Sequence, residues 1–282
     1  MSFFKKLSIK SIFVGMLFLS LSAYGLAADF KTIETKIGHA DNQLYGLTYL
    51  PEKQGKMPLV IFAHELSATH KTMQPYAEKL AKEGIVSYVF DFRGGSVESK
   101  SAGKTTNMSV MTEVRDLEEV LAAAQKWDFV DPNKIILIGG SQGGMVSALT
   151  ASQNASKISG LVLLYPAFVI EDDVHNFFPN KQDIPAEFNY RGWIKVGKNY
   201  FADLHDINVM KEIGKYQKPV LILHGDLDPH VPLTKSKVAQ SHYPNAELKI
   251  IKGAEHSFLA EPYFSQAVQE INQYLKANNL DK

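Results

Sequence analysis

An α/β architecture, built on one eight-stranded, mostly parallel sheet flanked by helices, is predicted by three observations. Eight short apolar, β-branched runs are spread along the chain, helical patterns separate the later ones, and the segments richest in chemistry begin directly after strand ends. Strands alternating with helices build βαβ units and hence parallel pairing. In such sheets the loops at the strand carboxyl ends converge on one edge.

The strand-like runs are 30–37, 44–50, 58–63, 85–91, 134–139, 159–165, 219–224 and 247–251, and the helical patterns lie near 72–83, 110–126, 142–152, 234–241 and 263–276. Residues 1–28 stand apart. Lys5, Lys6 and Lys10 precede an apolar run from Ile12 to Leu26, and Gly25-Leu26-Ala27-Ala28 supplies small residues for cleavage, the make-up of a secretory signal peptide. That apolar run is shorter than the roughly 20 residues that span a bilayer, so removal rather than anchoring is expected. The protein is expected to be exported, to periplasm or medium, with no stable membrane insertion of the mature chain. Residues 29–282 are then expected to form one domain, since neither an internal repeat nor a low-complexity linker divides them.

Regular alternation fails once. From 167 to 216 the chain runs for roughly fifty residues where a crossover helix needs far fewer. Phe168, Phe177, Phe178, Phe188, Tyr190, Trp193, Tyr200 and Phe201 fall there, with Pro179 and Pro185. This is expected to be an insertion after the sixth strand, a lid of which at least two aromatics line an acyl pocket. The polar stretch 96–108 is expected to be a solvated loop. Glu113 and Asp116 sit in early turns of a helix, where carboxylates suit the dipole, and are expected to be structural.

Composition sets further bounds. A chain of 282 residues with 45% hydrophobic content can bury one sizeable core, and its formal net charge of +0 gives no reason to expect a polyanion partner. Basic residues are not clustered with aromatics, so nucleic-acid binding is not expected. With no cysteine there is neither a disulfide nor a thiol nucleophile. No spacing such as H-E-x-x-H suggests a metal, and no cofactor is expected.

The chemistry begins at Gly139-Gly140-Ser141-Gln142-Gly143, which follows the apolar run Ile135 to Ile138 and precedes a helical stretch. This is a G-x-S-x-G nucleophile elbow: a strand turns sharply into a helix, the glycines leave room, and the serine is pushed out above the sheet. In that architecture the acid and then the histidine follow in chain order. The strand 219–224 opens into His224-Gly225-Asp226-Leu227-Asp228-Pro229-His230-Val231-Pro232, where Asp226 and Asp228 compete. The last strand opens into Gly253-Ala254-Glu255-His256-Ser257-Phe258, making His256 the candidate base. His39, His70, His175, His205 and His242 lie in polar or irregular stretches and are expected to be solvated; His224 is expected to be structural, and His230 to sit near the cleft.

With FAHEL at 62–66, FDFRGG at 90–95, TTNMSVMTEVRDL at 105–117, GGSQGG, HGDLDPHVP and GAEHSF, nearly all of the mature chain resembles the α/β-hydrolase superfamily. It is most similar in look to cinnamoyl and feruloyl esterases and to serine-aminopeptidase-like hydrolases. The resemblance implies the α/β-hydrolase fold and carries the acid role onto Asp228, leaving Asp226 as a turn or capping residue. It also implies an oxyanion hole from the backbone N–H groups of Gln142 and Leu66. Family members usually have His-Gly where this chain has His64-Glu65. Glu65 is expected to point outward and to matter through its backbone, although it is kept with Phe177, Phe178 and Trp193 as a candidate for substrate contact.

The expected activity is hydrolysis of a small-molecule carboxylic ester, with aromatic acyl esters such as cinnamoyl or feruloyl among the candidates, through Ser141, His256 and Asp228 and an acyl-enzyme. The alternatives are an aminopeptidase, a thioesterase, and a hydrolase-fold binding protein that has lost activity. Oligomeric state is not encoded in these features.

Overall fold

A computed structural model describes residues 30–282, so the expected signal peptide at residues 1–28 lies outside the described residues. Eight strands form the main sheet: β1 (Phe30–Ile37), β2 (Leu44–Pro51), β3 (Met57–Ala63), β4 (Val86–Phe90), β5 (Val130–Gly140), β6 (Gly160–Leu164), and, after the two insertion strands β7 (Glu187–Tyr190) and β8 (Ile194–Gly197), β9 (Val220–Gly225) and β10 (Ala246–Ile251). Their order is β1-β2-β4-β3-β5-β6-β9-β10, antiparallel where β2 meets β1 and β4 and parallel from β4 to β10. This is the α/β-hydrolase fold.

Alternation along the strands explains the layers. Val60, Phe62, Ile136, Ile138, Val162, Leu164, Leu221 and Leu223 face one side, where helices α1 (Gln74–Lys82) and, at the chain's end, α8 (Tyr263–Ala277) contribute Tyr76, Leu80, Ile271 and Leu275. Leu59, Ile61, Leu137, Leu161 and Leu163 face the other, under α2 (Val110–Ala124) and α3 (Gln142–Gln153). Because both faces are covered, β3, β5 and β9 read as continuous apolar runs rather than alternating ones. Ile135, Ile136, Leu137 and Ile138 are wholly buried, each stabilising the fold by about 1.5–3 kcal/mol.

Helix boundaries follow local chemistry. Ser109 caps α2: its hydroxyl accepts from Thr112 N–H while the Thr112 hydroxyl accepts from Ser109 N–H. Between β6 and β9 lie α4 (Val169–Phe177), the β7-β8 hairpin, α5 (Lys198–Ala202) and α6 (Val209–Ile213), and α7 (Leu233–His242) follows β9. The hairpin is absent from the sequence-based reading, because its four-residue strands are too short to show a period.

Two polar readings are corrected. His70 is buried, with its backbone N–H and Nδ1 both 2.7 Å from Asp91 Oδ1. In the 96–108 stretch, Ser96 and Ser101 are buried, and the Ser101 hydroxyl donates to Asp91 O while accepting from Tyr45 N–H at 2.8 Å. A polar segment that folds over a buried carboxylate has its hydrogen bonds inside, which composition does not reveal.

The crossing of β5 into α3 is the tightest place in this arrangement. A Cβ on Gly143 would lie 2.3 Å from Ala63 O and 2.4 Å from His64 O, both backbone atoms. Gly143→Ala is therefore expected to lower unfolding free energy by about 1–3 kcal/mol or more, measured by urea denaturation, whereas Gly55→Ala, at a glycine with open space around it but φ +90°, loses only the cost of its strained φ.

Candidate active site

Ser141 stands between β5 and α3 with φ 50° and ψ −117°, a conformation that non-glycine residues adopt only under constraint. The constraint is visible: Ser141 N–H donates to Leu164 O, Ala167 N–H donates to Ser141 O, and the glycines at 139 and 143 let strand and helix touch. The hydroxyl lies 2.9 Å from His256 Nε2, and His256 Nδ1 lies 2.7 Å from Asp228 Oδ2. An ionised carboxylate only accepts, so it holds the imidazole proton on Nδ1 and leaves Nε2 to accept from Ser141 Oγ–H. This arrangement can move a proton from a hydroxyl to an imidazole.

Geometry separates the two competing acids. Asp228 Oδ1 accepts from the N–H groups of His230 and Val231, and Oδ2 meets both His256 and, at 3.2 Å, His224 Nε2. Burial alone would raise the Asp228 carboxyl, but hydrogen bonds from His224, His256 and Val231 outweigh it and hold the group well below the usual carboxylate range. Asp226 instead accepts from Gly253 N–H at 2.6 Å, joining the loops after β9 and β10. His224 is buried with Nδ1 on the Ser236 hydroxyl, a structural histidine that also touches Asp228.

The loop after β3 supplies the other wall. His64 is buried; its Nδ1–H donates to Glu65 O and its Nε2 accepts from Phe92 N–H. Burial drives its pKa down, and the neutral form suits those two bonds. Leu66 and Gln142 both line the cleft beside Ser141, and neither backbone N–H is bonded among the described residues. Glu65 does not point outward, contrary to the sequence-based expectation. Its carboxylate turns inward, accepting from the Thr72 hydroxyl and, at 3.0 Å, from the Tyr165 hydroxyl, whose ring packs 4.9 Å from that of His256. Nor does Glu65 line the cleft.

The cleft is lined from the sheet edge by Leu66, Ser141, Gln142 and His256, with Val231 and His230 from the acid loop. The insertion contributes Tyr190, Arg191 and Trp193 from its hairpin, and Ala167, Val169 and Ile170 from its first segment. Trp193 meets His230 edge to face at 5.1 Å, and His230 meets His256 likewise at 5.3 Å. Phe177 and Phe178, candidates for substrate contact, are not in the cleft. They pack with Phe188 and Phe201 in an aromatic cluster of the insertion itself, Phe177 at its exposed margin. Tyr190 and Arg191 were not singled out as cleft residues, because the hairpin that presents them leaves no sequence period.

With this geometry in view, comparison places the chain: residues 72–280 match the prolyl oligopeptidase family, to which the protein belongs. Among solved structures it is similar to Est1E from Butyrivibrio proteoclasticus with ferulic acid bound, at TM-score 0.77 and 28% identity, covering 86% of this chain and 99% of that one. Among curated proteins it is 21% identical to the quorum-quenching protein AidA of Acinetobacter baumannii, covering 81% of this chain and 89% of the relative. It is 22% identical to the human serine hydrolase BPHL, covering 83% and 84%. The protein is a hydrolase-fold chain whose relatives include esterases and serine hydrolases. No helix among the described residues is long and apolar enough to cross a membrane.

Removing the Glu65 carboxylate leaves the buried Tyr165 hydroxyl without its acceptor. Glu65→Ala is expected to cost about 1–3 kcal/mol in urea unfolding, and an unchanged midpoint would show that the side chain faces solvent after all.

Proposed function

We propose that the protein is an exported serine hydrolase that cleaves small carboxylic esters through an acyl-enzyme, with Ser141 as nucleophile, His256 as base and Asp228 as the acid. The observation that carries this is the hydrogen-bonded chain from Ser141 Oγ through His256 to Asp228, beside two unbonded N–H groups in one cleft. His256 Nε2 takes the hydroxyl proton as Ser141 Oγ attacks the ester carbonyl carbon. The oxyanion is received by Gln142 and Leu66 N–H, and its collapse expels the alcohol, which leaves with the proton from His256. Water, deprotonated by His256, then attacks the acyl-enzyme, and collapse expels Ser141 Oγ, which takes that proton back from His256 as the carboxylic acid leaves.

The lining and charge of the cleft support esters with aromatic acyl groups. Leu66, Val169, Ile170, Tyr190, Trp193 and Val231 give it a largely apolar and aromatic wall that suits a ring. The charged lining residue is Arg191, not a carboxylate, so the ammonium of an aminoacyl substrate has no partner among the lining residues. The resemblance to a structure that binds ferulic acid points to the same substrate class. Glu65, the departure from the family's usual His-Gly, is held away from the cleft by Thr72 and Tyr165. Export rests on the composition of residues 1–28.

The test is hydrolysis of p-nitrophenyl acetate and butyrate, methyl ferulate and an aminoacyl p-nitroanilide. Between the two p-nitrophenyl esters, which share a leaving group, butyrate is expected to exceed acetate in kcat/KM by about tenfold, since each buried methylene adds only about 0.8 kcal/mol; methyl ferulate is expected to be hydrolysed despite its poorer leaving group, and the anilide to be the poorest. Ser141→Ala should lower kcat on the best ester by on the order of 10⁵ to 10⁶ with folding intact, and substantial residual turnover would place the nucleophile elsewhere.

The two acids give a separate expectation. Asp228→Asn should cost on the order of 10⁴ in kcat by mis-setting the His256 tautomer, and Asp226→Asn far less; the reverse order would move the role to Asp226. Because Asp228 is depressed in the folded state, it favours the ionised native form. The stability it contributes is present above the unfolded value of about 3.9 and is lost as pH falls toward the depressed native one, so Asp228→Asn should flatten the acid side of the stability curve.

A further inference from the structure

In the ester-cleaving reading Gln142 contributes only its backbone N–H. Its side chain is nevertheless wholly buried, and both ends of its amide are committed. Nε2 donates to Glu113 Oε2 at 2.8 Å, and Oε1 accepts from the Tyr200 hydroxyl at 2.6 Å. Glu113 lies on α2 and Tyr200 on α5 of the insertion, so the residue after Ser141 is gripped from two elements that are remote in sequence. All three side chains are buried in the apolar layer that also holds Met108, Val110, Val114 and Phe201.

Such a cluster is expensive for mere packing. Burial pushes the Glu113 carboxyl well above the ordinary carboxylate range, with the Gln142 hydrogen bond pulling the other way. Apolar side chains of similar volume would fill the space without that desolvation cost. What polar groups add is direction. An oxygen of Glu113 accepts and the Tyr200 hydroxyl donates, so the Gln142 amide has one orientation, and a side chain pinned at its far end restrains the peptide plane between 141 and 142. That plane carries the candidate oxyanion donor and adjoins the strained Ser141 backbone.

The insertion is anchored beside the same helix. The Ser109 hydroxyl, the N-cap of α2, donates to Asp203 Oδ2 at 2.6 Å, and Asn199 Nδ2 donates to Asn107 O and Met108 O. The segment that carries Tyr200 is thus held on both of its flanks.

We infer that Glu113, Gln142 and Tyr200 form a positioning relay that sets the direction of the Gln142 N–H, so that oxyanion stabilisation requires the insertion to be docked on α2. The inference rests on the ester-cleaving reading. Glu113 and Tyr200 are positioning residues: they touch neither substrate nor reacting atoms, and neither lines the cleft.

The test uses the purified protein and p-nitrophenyl acetate, whose acyl group is too short to draw on the insertion's aromatics. Loss of one oxyanion donor costs on the order of 10² to 10³ in kcat, and misdirecting it costs part of that. Tyr200→Phe and Glu113→Met are each expected to lower kcat about tenfold or more while KM stays within about twofold. Since both act through Gln142, the double variant should be no worse than the poorer single one. Glu113→Gln, which keeps an oxygen to accept from Gln142, should restore kcat to within about threefold of the native protein. Tyr243→Phe removes an equally buried hydroxyl that has no partner among the described residues, and serves as the control for packing.

Near-UV circular dichroism and the urea midpoint establish that each variant is folded, and Tyr200→Phe carries the test alone if Glu113→Met is not. Unchanged kcat in folded Tyr200→Phe, losses that multiply in the double variant, or an effect confined to KM would each overturn the relay. A native protein inert toward every ester, and toward a serine-directed phosphonate, would overturn the ester-cleaving reading first, before any relay variant is made. Active native protein with indifferent variants overturns the relay alone.

Discussion

The strained backbone at Ser141 is the constraint around which the rest of the molecule is arranged. A non-glycine residue at φ 50° costs on the order of 1–3 kcal/mol and persists only where its surroundings determine it. The determination comes from the buried second half of β5, from Ile135 to Gly140, from α3 pressed against the end of β3 through Gly143, and from the two backbone hydrogen bonds that Ser141 shares with Leu164 and Ala167. Without this turn the strand would run on smoothly and the hydroxyl would remain in the sheet. With it, the hydroxyl stands at the edge where the loops after β9 and β10 bring Asp228 and His256.

Those loops are held by carboxylates that satisfy backbone N–H groups. Asp228 takes two from its own loop, Asp226 takes one from the loop after β10, and Asp91 takes those of His70 and Lys100 at the end of β4. Each of these acids sits just beyond a strand's carboxyl end, where the chain leaves the sheet ladder and its N–H groups need other acceptors. A carboxylate with four lone-pair sites answers several such donors at once. The same chemistry that orders the edge also leaves Asp228 ionised beside His256.

Much of this was legible in the sequence, and for a reason. The central strands are buried on both faces and so appear as unbroken apolar runs, whereas the edge strands β1 and β10, exposed or half-buried over most of their length, show only apolar and β-branched content; all eight lie within a few residues of their expected bounds apart from the early start of β5 at Val130. Ser141, Asp228 and His256 are brought together because each follows a strand, and chain order supplies the rest. What was not legible depends on which way one side chain turns. Glu65 was expected outward and turns inward, because Thr72 and Tyr165 come from distant turns to meet it. His70 was expected in solvent and is buried against Asp91. Phe177 and Phe178 share the composition of cleft residues but spend their rings on one another and on Phe188 and Phe201, whereas Trp193 on the hairpin reaches His230.

The insertion shows how far such a fold can change its site without disturbing the sheet. Its aromatic cluster is continuous with the core that lies under α2 and α3, and Arg191, bound to Asp173 and the Tyr190 hydroxyl, stiffens the hairpin that faces the cleft. Phe201, Val209 and Ile213 join that core, while Asn199, Tyr200 and Asp203 on one side and the Asp172 to Lys235 ion pair on the other add polar contacts to the body. A unit fixed by a shared core can vary the residues it presents to the cleft, here Tyr190, Arg191 and Trp193, while the strained elbow and the carboxyl-edge loops remain as they are. The division of labour is therefore incomplete: the sheet sets the positions of Ser141, Asp228 and His256, whereas the insertion shapes what enters the cleft and, through Tyr200, also grips the residue after the nucleophile.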